Sequence, residues 1–340
     1  MYIIFAIVAF GLLILVHELG HFIAAKINGV KVEEFAIGMG PQIFSVAIGE
    51  TDYSLRALPI GGFVQMYGES TDDDEVSTRD KRALSNKSPL VRIIVFAAGA
   101  FMNLLLALII FTIVAMNFGF KTNVVSSVVD NSPAAVAGLK SGDKLIKIDG
   151  NRILTGDDLI MGIALAKGNP VEIEFESNGK IETKSIKPIE EDGVYRVGIY
   201  SEHIKNPSII DSFKNSFKEL ISMVKQTFIS LKMMFTGNVD FKTDVGGPVT
   251  IIRMAGEAAK VGVWNLVNLT AFLSVQLAVF NLLPFPALDG GHIFILLIET
   301  ITRNKIPAKY VNAINTVGFA LLMILMAVVL LKDIIFPVKL

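Results

Sequence analysis

Residues His17-Glu18-Leu19-Gly20-His21 read H-E-x-x-H. Positions four apart on a helix share one face, so both imidazoles can reach one metal ion while the adjacent Glu18 carboxylate is free to take a proton. That is two zinc ligands and a candidate general base. A catalytic zinc is usually held by three protein ligands with a fourth position open, so one ligand must come from elsewhere in the chain. The sequence contains no cysteine, which excludes thiolate ligands, thiol nucleophiles and disulfides together. The best place for the third ligand is Asn281-Leu282-Leu283-Pro284-Phe285-Pro286-Ala287-Leu288-Asp289-Gly290-Gly291-His292. Two prolines so close together cannot continue a regular helix, and the glycine pair permits a tight turn. Asp289 stands in that break as a candidate ligand, and His292 is its rival.

The elements that must bring these groups together are membrane helices. The 340 residues are 52% apolar and only 19% charged, an unusual balance for soluble domains. Four apolar runs approach the roughly 20 residues needed to cross a bilayer: Tyr2 to Ala25, Val91 to Met116, Val263 to Leu283 and Val311 to Leu331. The first lacks the positive n-region of a signal peptide, and its apolar core is too long for one. His17, Glu18 and His21 fall inside it. Ionisable groups at that depth cost several kcal/mol each, roughly, unless they face a metal, a partner or a wet cavity. The broken backbone before Asp289 is tolerated at such depth only where protein buries it or water reaches it. Net charge is -1, which removes any argument for a nucleic-acid partner. Lys26, Lys31, Arg56, Arg79, Lys81, Arg82 and Lys87 follow the first span, and Arg303, Lys305 and Lys309 precede the fourth. By the positive-inside rule both links are cytoplasmic, which puts the N-terminus and the long middle region outside.

The pairing of an intramembrane H-E-x-x-H with N-x-x-P-x-P-x-x-D-G resembles the site-2 protease family of intramembrane zinc metalloproteases. Within it the chain is most similar to the bacterial regulator-of-sigma-E protease branch, over nearly its whole length. Phe35-Ala36-Ile37-Gly38-Met39-Gly40-Pro41, Leu58-Pro59-Ile60-Gly61-Gly62-Phe63-Val64, Gly246-Gly247-Pro248-Val249 and Phe272-Leu273-Ser274-Val275 follow the branch's pattern. Ala97-Ala98-Gly99-Ala100-Phe101-Met102-Asn103 resembles its second-span motif, with Ala100 where the branch commonly has proline. The resemblance implies that His17, His21 and Asp289 bind one Zn2+, that Glu18 is the catalytic base, and that Asn281 holds the substrate backbone or a developing oxyanion. The chemistry is coherent: zinc activates a water and polarises the scissile carbonyl, Glu18 takes the proton and an amide donor meets the oxyanion.

The middle region alternates short apolar runs with turns. Ser132 to Gly150 resembles the central segment of a PDZ domain: Pro133 to Leu139 reads as a short helix ended by glycine, and Asp149-Gly150 as a hairpin turn. PDZ domains take extended peptides by strand addition. The family resemblance adds a second role, exclusion of substrates with bulky outer domains; a passive spacer is the alternative. Tyr53 to Tyr67, with Gly61-Gly62, suits a bent hairpin. The family places a sheet-like loop there to hold the substrate as an added strand, and a hairpin without substrate contact is the alternative. The run Asp72-Asp73-Asp74-Glu75 reads as a solvated loop, and His203 as a surface residue in a polar loop. Ile209 to Phe235 suits an amphipathic helix lying on the outer leaflet or bracing the insert.

The expectation is a multi-pass α-helical membrane protein with four transmembrane helices, a small α+β PDZ-like insert and a short cytoplasmic β-hairpin element. Its parts are 1–118 with the zinc motif and β-loop, 119–200 the PDZ-like domain, 201–262 an amphipathic linker and 263–340 the last two spans. The expected activity is that of a zinc-dependent membrane endopeptidase of a bacterial plasma membrane. It would cut single-span membrane proteins such as pre-cleaved anti-sigma factors or remnant signal peptides, with the lipid bilayer as its other partner. A non-catalytic membrane PDZ scaffold with a structural metal site is the main alternative. A transporter with broken helices is the other, and the absence of corresponding broken elements in two repeated halves speaks against it.

Overall fold

The computed structural model describes residues 2–69, 80–237, 241 and 245–338, so the acidic run Asp72 to Glu75 lies outside the described residues. Contacts gather into two compact units, Met1–Ala107 with Thr227–Leu340, and Leu108–Gln226.

The first unit opens with α1 (Tyr2–Ile27), which the left-handed Gly29 ends as the chain turns into a long hairpin, β1 (Val32–Ile48) and β2 (Thr51–Met66). The hairpin is antiparallel overall, but both strands bend and each acts as two segments. Residues 42–48 run antiparallel to 51–56, and residues 32–37 run antiparallel to 62–66. Between them Glu34↔Asp52 through Ile37↔Leu55 advance in the same direction. The hairpin therefore starts at Val32 and turns at Gly49, and Gly61-Gly62 is not its turn. Left-handed Gly61 bends β2 instead. Glu34, inside this sheet, accepts hydrogen bonds from Ser54 Oγ and from Arg56 Nη2 (2.7 Å), so its charge is paired. Val32, Phe35, Val64 and Met66 pack on Ala24, Ala25, Val95, Phe96 and Leu296, which seats the sheet against α1, the helix of the H-E-x-x-H motif, and its neighbours. Next, α2 (Pro89–Phe118) begins with proline at its first position, where a missing N–H costs nothing, and continues unbroken through Ala100.

The second unit holds β3 (Phe120–Val128), α3 (Pro133–Val136), β4 (Lys144–Ile148), β5 (Asn151–Arg152), α4 (Gly156–Leu165), β6 (Val171–Ser177), β7 (Lys180–Ile186), β8 (Ile189–Glu191), β9 (Val194–Arg196) and β10 (Ile199–Ile204). The main sheet has the order β10-β3-β4-β6-β7, with β5 paired to β4 and a separate β8–β9 ladder. Apolar residues alternate inward along it: Val171, Ile173 and Phe175 meet Leu145, Ile148, Leu159 and Ile163 in one core. Ser132 Oγ caps α3, Gly138 ends its turn with φ 89°, and Asp149 and Gly150 both take positive φ in the β4–β5 turn, as the sequence pattern requires. This is the expected PDZ-like insert. His203 lies in β10, not in a loop, and its Nε2 is 3.0 Å from the Phe118 carbonyl. The in-out alternation of Ile199-Tyr200-Ser201-Glu202 breaks at the register shift between Ser201 and His203, which leaves both Glu202 and His203 exposed.

The amphipathic helix is present as α5 (Ile209–Phe235). Within the second unit it is tied to α4: Asp158, whose carboxylate also caps α4, accepts hydrogen bonds from Ser222 Oγ and Gln226 Nε2. Its buried residues are mostly small and polar, Ser212, Asn215, Ser216 and Ser222 beside Leu220, whereas Phe213, Phe217, Ile221 and Phe228 are exposed.

The first unit resumes with α6 (Pro248–Val261), α7 (Val263–Asn281), α8 (Asp289–Thr302) and α9 (Ala308–Ile335). The free N–H groups at the start of α6 are capped from α9: Asp333 accepts from Gly247 N (3.0 Å), Thr250 N (2.7 Å) and Thr250 Oγ1 (2.7 Å). Lys332, expected just after the fourth span, is inside α9 and buried, with its ammonium on the Val245 carbonyl. Among the described residues four helical stretches are long and apolar enough to cross a membrane: Ile7–Ile27, Pro89–Phe118, Val263–Asn281 and Lys309–Ile335.

Candidate metal centre

His17 and His21 project from one face of α1, and each is only 6% exposed. His17 Nε2 lies 3.0 Å from Asp289 Oδ2 and 3.1 Å from His21 Nε2, and His21 Nε2 is 3.4 Å from the same carboxylate oxygen. One donor atom from each of the three residues falls within 4.8 Å of the others. Two imidazole nitrogens and one carboxylate oxygen, converging on a point they can share, form a donor set that suits zinc.

A single stripe of α2, at positions 95, 99 and 103, surrounds the imidazoles. The Val95 carbonyl accepts from His21 Nδ1 at 2.8 Å, which directs Nε2 of that ring toward Asp289. Gly99 supplies the space: a Cβ there would lie 2.4 Å from His21 Nε2 and 2.7 Å from His17 Nε2. The Asn103 amide reaches His17 Nδ1 at 3.3 Å. One turn of α1 is also held close by a glycine, since a Cβ on Gly20 would be 2.4 Å from the Ala98 carbonyl oxygen. Residue types alone did not disclose the Val95 contact, because every residue carries a carbonyl.

Asp289 opens α8 after the irregular stretch Leu282 to Leu288. Neither glycine after it makes the turn. Gly290 and Gly291 stand in the first turn of α8, where the preceding loop folds back so tightly that Cβ atoms would fall 2.2 Å from Leu283 O and 2.3 Å from Phe285 O. The strained position is Ala287, with φ 70°, and its N–H donates to Asn315 Oδ1 of α9 at 3.3 Å. Gly318 of α9 leaves room for Pro286.

Asn281 closes α7 with its Nδ2 3.3 Å from His17 Nε2. Glu18 is half-buried and faces the backbone of Val64. Its Cγ would be 3.5 Å from a Cβ on Gly62, so the 62–66 segment of β2 passes beside the general-base candidate. His17, Glu18, Asn281 and Asp289 share a cleft of about 210 Å³ with Ile14, Leu277, Ala287 and Leu288. All five sequence-predicted site residues thus meet in one place. His292 does not join them: its ring stacks on Phe96 (centroids 4.7 Å apart, 9° between planes) and lines a different cleft with Phe63, Arg92 and Glu299.

Residues 5–325 match the protein family described as Peptidase family M50. A putative zinc metalloprotease of Clostridium perfringens is 59% identical over 99% of this chain and 100% of its own length. The zinc metalloprotease RasP of Geobacillus kaustophilus is 30% identical over 96% of both chains. The PDZ domain of the SdrC-like protein of Listeria monocytogenes is 32% identical with a TM-score of 0.22, covering 24% of this chain and 88% of that domain.

Proposed function

Since the chain belongs to peptidase family M50, the site-2 proteases, and is a zinc metalloprotease with membrane-spanning helices, we propose that it is an intramembrane endopeptidase that cuts single-span membrane proteins within or beside their helices. The observation that carries the reading is the convergence of His17, His21 and Asp289, two of which line one cleft with Glu18 and Asn281, from chain segments that are far apart in sequence. His17, His21 and Asp289 hold zinc. When bound, zinc supplies a Lewis acid that lowers the pKa of a coordinated water and polarises a carbonyl. Glu18, beside the ligands and open to the cleft, receives the proton lost by the attacking water and returns it to the leaving amine. The Asn281 amide, on the same side as His17 Nε2, donates to the oxygen that gains charge at the scissile carbon. Helix α2 and the apolar walls keep bulk water from the reacting bond.

A helical substrate must be unwound before it can be cut, and its freed backbone groups then need new partners at membrane depth. The 62–66 segment of β2, next to Glu18, offers them by strand addition. The PDZ-like insert excludes substrates with large outer domains or takes their exposed ends, and the exposed Phe213, Phe217 and Phe228 of α5 rest on the outer leaflet. The N-terminus and insert lie outside a bacterial plasma membrane, with the zinc site toward the cytoplasm, and pre-cleaved anti-sigma factors and remnant signal peptides are the substrate classes.

The test uses purified, detergent-solubilised protein and a tagged single-span substrate lacking its outer domain. Wild type cuts it in a chelator-sensitive way. Glu18→Gln keeps its zinc and loses at least about 100-fold in rate, the smaller end of a general base's contribution. Asp289→Ala loses zinc as well as activity. A wild type that binds substrate and zinc but cuts none of several substrates would move the protein to a membrane scaffold.

A further inference from the structure

We propose that Asn103 is a positioning residue of the metal centre: its side-chain carbonyl accepts the Nδ1–H of His17 and so holds Nε2 as the zinc donor. The inference rests on the reading of His17 as a zinc ligand. A neutral imidazole that offers a lone pair at Nε2 carries its proton at Nδ1, so the atom facing Nδ1 must be an acceptor. The group facing it is the Asn103 amide, 3.3 Å away and 0% exposed. With Nδ2 toward the ring, Oδ1 is left buried without a hydrogen-bond partner. That sets two donors against each other and leaves an acceptor orphaned, an arrangement that buried groups avoid. The oxygen and nitrogen of an amide exchange places by a half-turn about Cβ–Cγ with almost no change of shape. After that exchange the orphaned oxygen receives the Nδ1–H.

Two further observations agree. His21 is already held this way, by the Val95 carbonyl at 2.8 Å, so with Asn103 each imidazole has its Nδ1–H on an oxygen of the same α2 stripe. Asn103 itself is fixed in place, because its backbone carbonyl accepts the buried Ser274 Oγ of α7 at 2.8 Å. The amide therefore meets His17 from a rigid base, as an orienting partner must.

The experiment compares zinc affinity of the full-length purified chain by competition with a chromogenic chelator. Asn103→Leu, similar in size but without an acceptor, is expected to bind zinc about 10- to 100-fold more weakly. Asn103→Asp keeps an acceptor oxygen and is expected to bind within about threefold of wild type or more tightly, as in carboxylate–histidine–zinc arrangements. Equal affinity in Asn103→Leu and wild type overturns the proposal, and so does Asn103→Asp falling as far as Asn103→Leu. The chain has four histidines, so histidine-selective 15N labelling resolves their ring nitrogens in the zinc-loaded wild type, whether or not the leucine variant folds. A protonated Nδ1 on His17 is expected, and an unprotonated one overturns the assignment. His17→Ala is the control for the premise: if it keeps zinc at wild-type affinity, the ligand reading has failed and Asn103 falls with it. If it loses zinc while Asn103→Leu does not, only the role of Asn103 is refuted.

Discussion

Substituting Gly99 by alanine adds one methyl group and replaces none of the proposed ligands, yet the structure predicts weaker metal binding. The new Cβ would sit 2.4 Å from His21 Nε2 and 2.7 Å from His17 Nε2, where ordinary contact begins at 3.4 Å. One imidazole must therefore move by 1.0 Å (3.4 − 2.4) and the other by 0.7 Å (3.4 − 2.7), or the helices must part by a similar amount. Neither is easy. His21 is pinned to the Val95 carbonyl of the same helix, one turn from Gly99, and the backbones of α1 and α2 already touch at Gly20 and Ala98. Overpacking of this kind costs about 1–3 kcal/mol. Zinc sites tolerate displacements of only about 0.2 Å in ligand distance, so the cost falls on metal binding. Three kcal/mol corresponds to roughly 150-fold weaker affinity. The assay is zinc per chain by atomic absorption after dialysis against a mild chelator, with circular dichroism to show that the helices persist. A Gly99→Ala protein that retains one zinc per chain and normal turnover would refute the packing argument.

Asp333→Ala leaves two backbone N–H groups and the Thr250 hydroxyl without their acceptor and Lys332 without its neighbouring charge, so it should cost about 3 kcal/mol and lower the thermal midpoint by several degrees; an unchanged midpoint would show that α6 does not need this cap. At Ala287 the left-handed backbone costs about 1 kcal/mol, which glycine relieves at a similar entropic cost, so Ala287→Gly should leave stability nearly unchanged while Ala287→Val loses 1 kcal/mol or more, roughly. Denaturation midpoints decide it, and a valine variant as stable as wild type contradicts the observed φ. Burial first, and the neighbouring Asp157 second, push the Glu219 carboxyl of α5 up from its ordinary 4.5 to about 7. The folded state then holds a proton that the unfolded chain has released, so this group's stabilisation is complete below pH 4.5 and is lost as pH rises to about 7. Midpoints of wild type should fall across that window more steeply than those of Glu219→Gln; parallel curves would place Glu219 in water.

How much of this was legible in the sequence follows from what each signal is made of. The H-E-x-x-H pair and Asp289 were visible because they are rare residue types in apolar surroundings, and such surroundings tolerate ionisable groups only for a reason. The bounds of α5 and the Asp149-Gly150 turn were visible because periodicity and positive φ select residue types directly. The hairpin was only half visible. Val32 to Ile48 does not alternate cleanly, because its two segments pair with different partners, and Glu34 looks like a surface residue until Ser54 and Arg56 are seen to meet it. The buried face of α5 was not visible, since a pattern of phenylalanines marks where apolar groups gather and not whether protein or lipid covers them.

The groups proposed to do the chemistry and the groups that place them come from different helices, and only the first kind announces itself. The proposed ligands, base and amide donor lie on α1, α7 and α8, where residue identity carries the proposed chemistry. Control of the two imidazoles lies on α2, through a backbone carbonyl at 95, an absent side chain at 99 and an amide at 103. A carbonyl has no residue signature and a glycine signals only smallness. The spacing of four that joins them becomes meaningful once α2 is known to cross α1 at Gly20. It follows that Gly99→Ala and Asn103→Leu should weaken the centre although neither replaces a proposed ligand. They should do so through metal affinity, leaving the proton-transfer group intact, which separates them from Glu18→Gln in any assay that reads zinc content and turnover together.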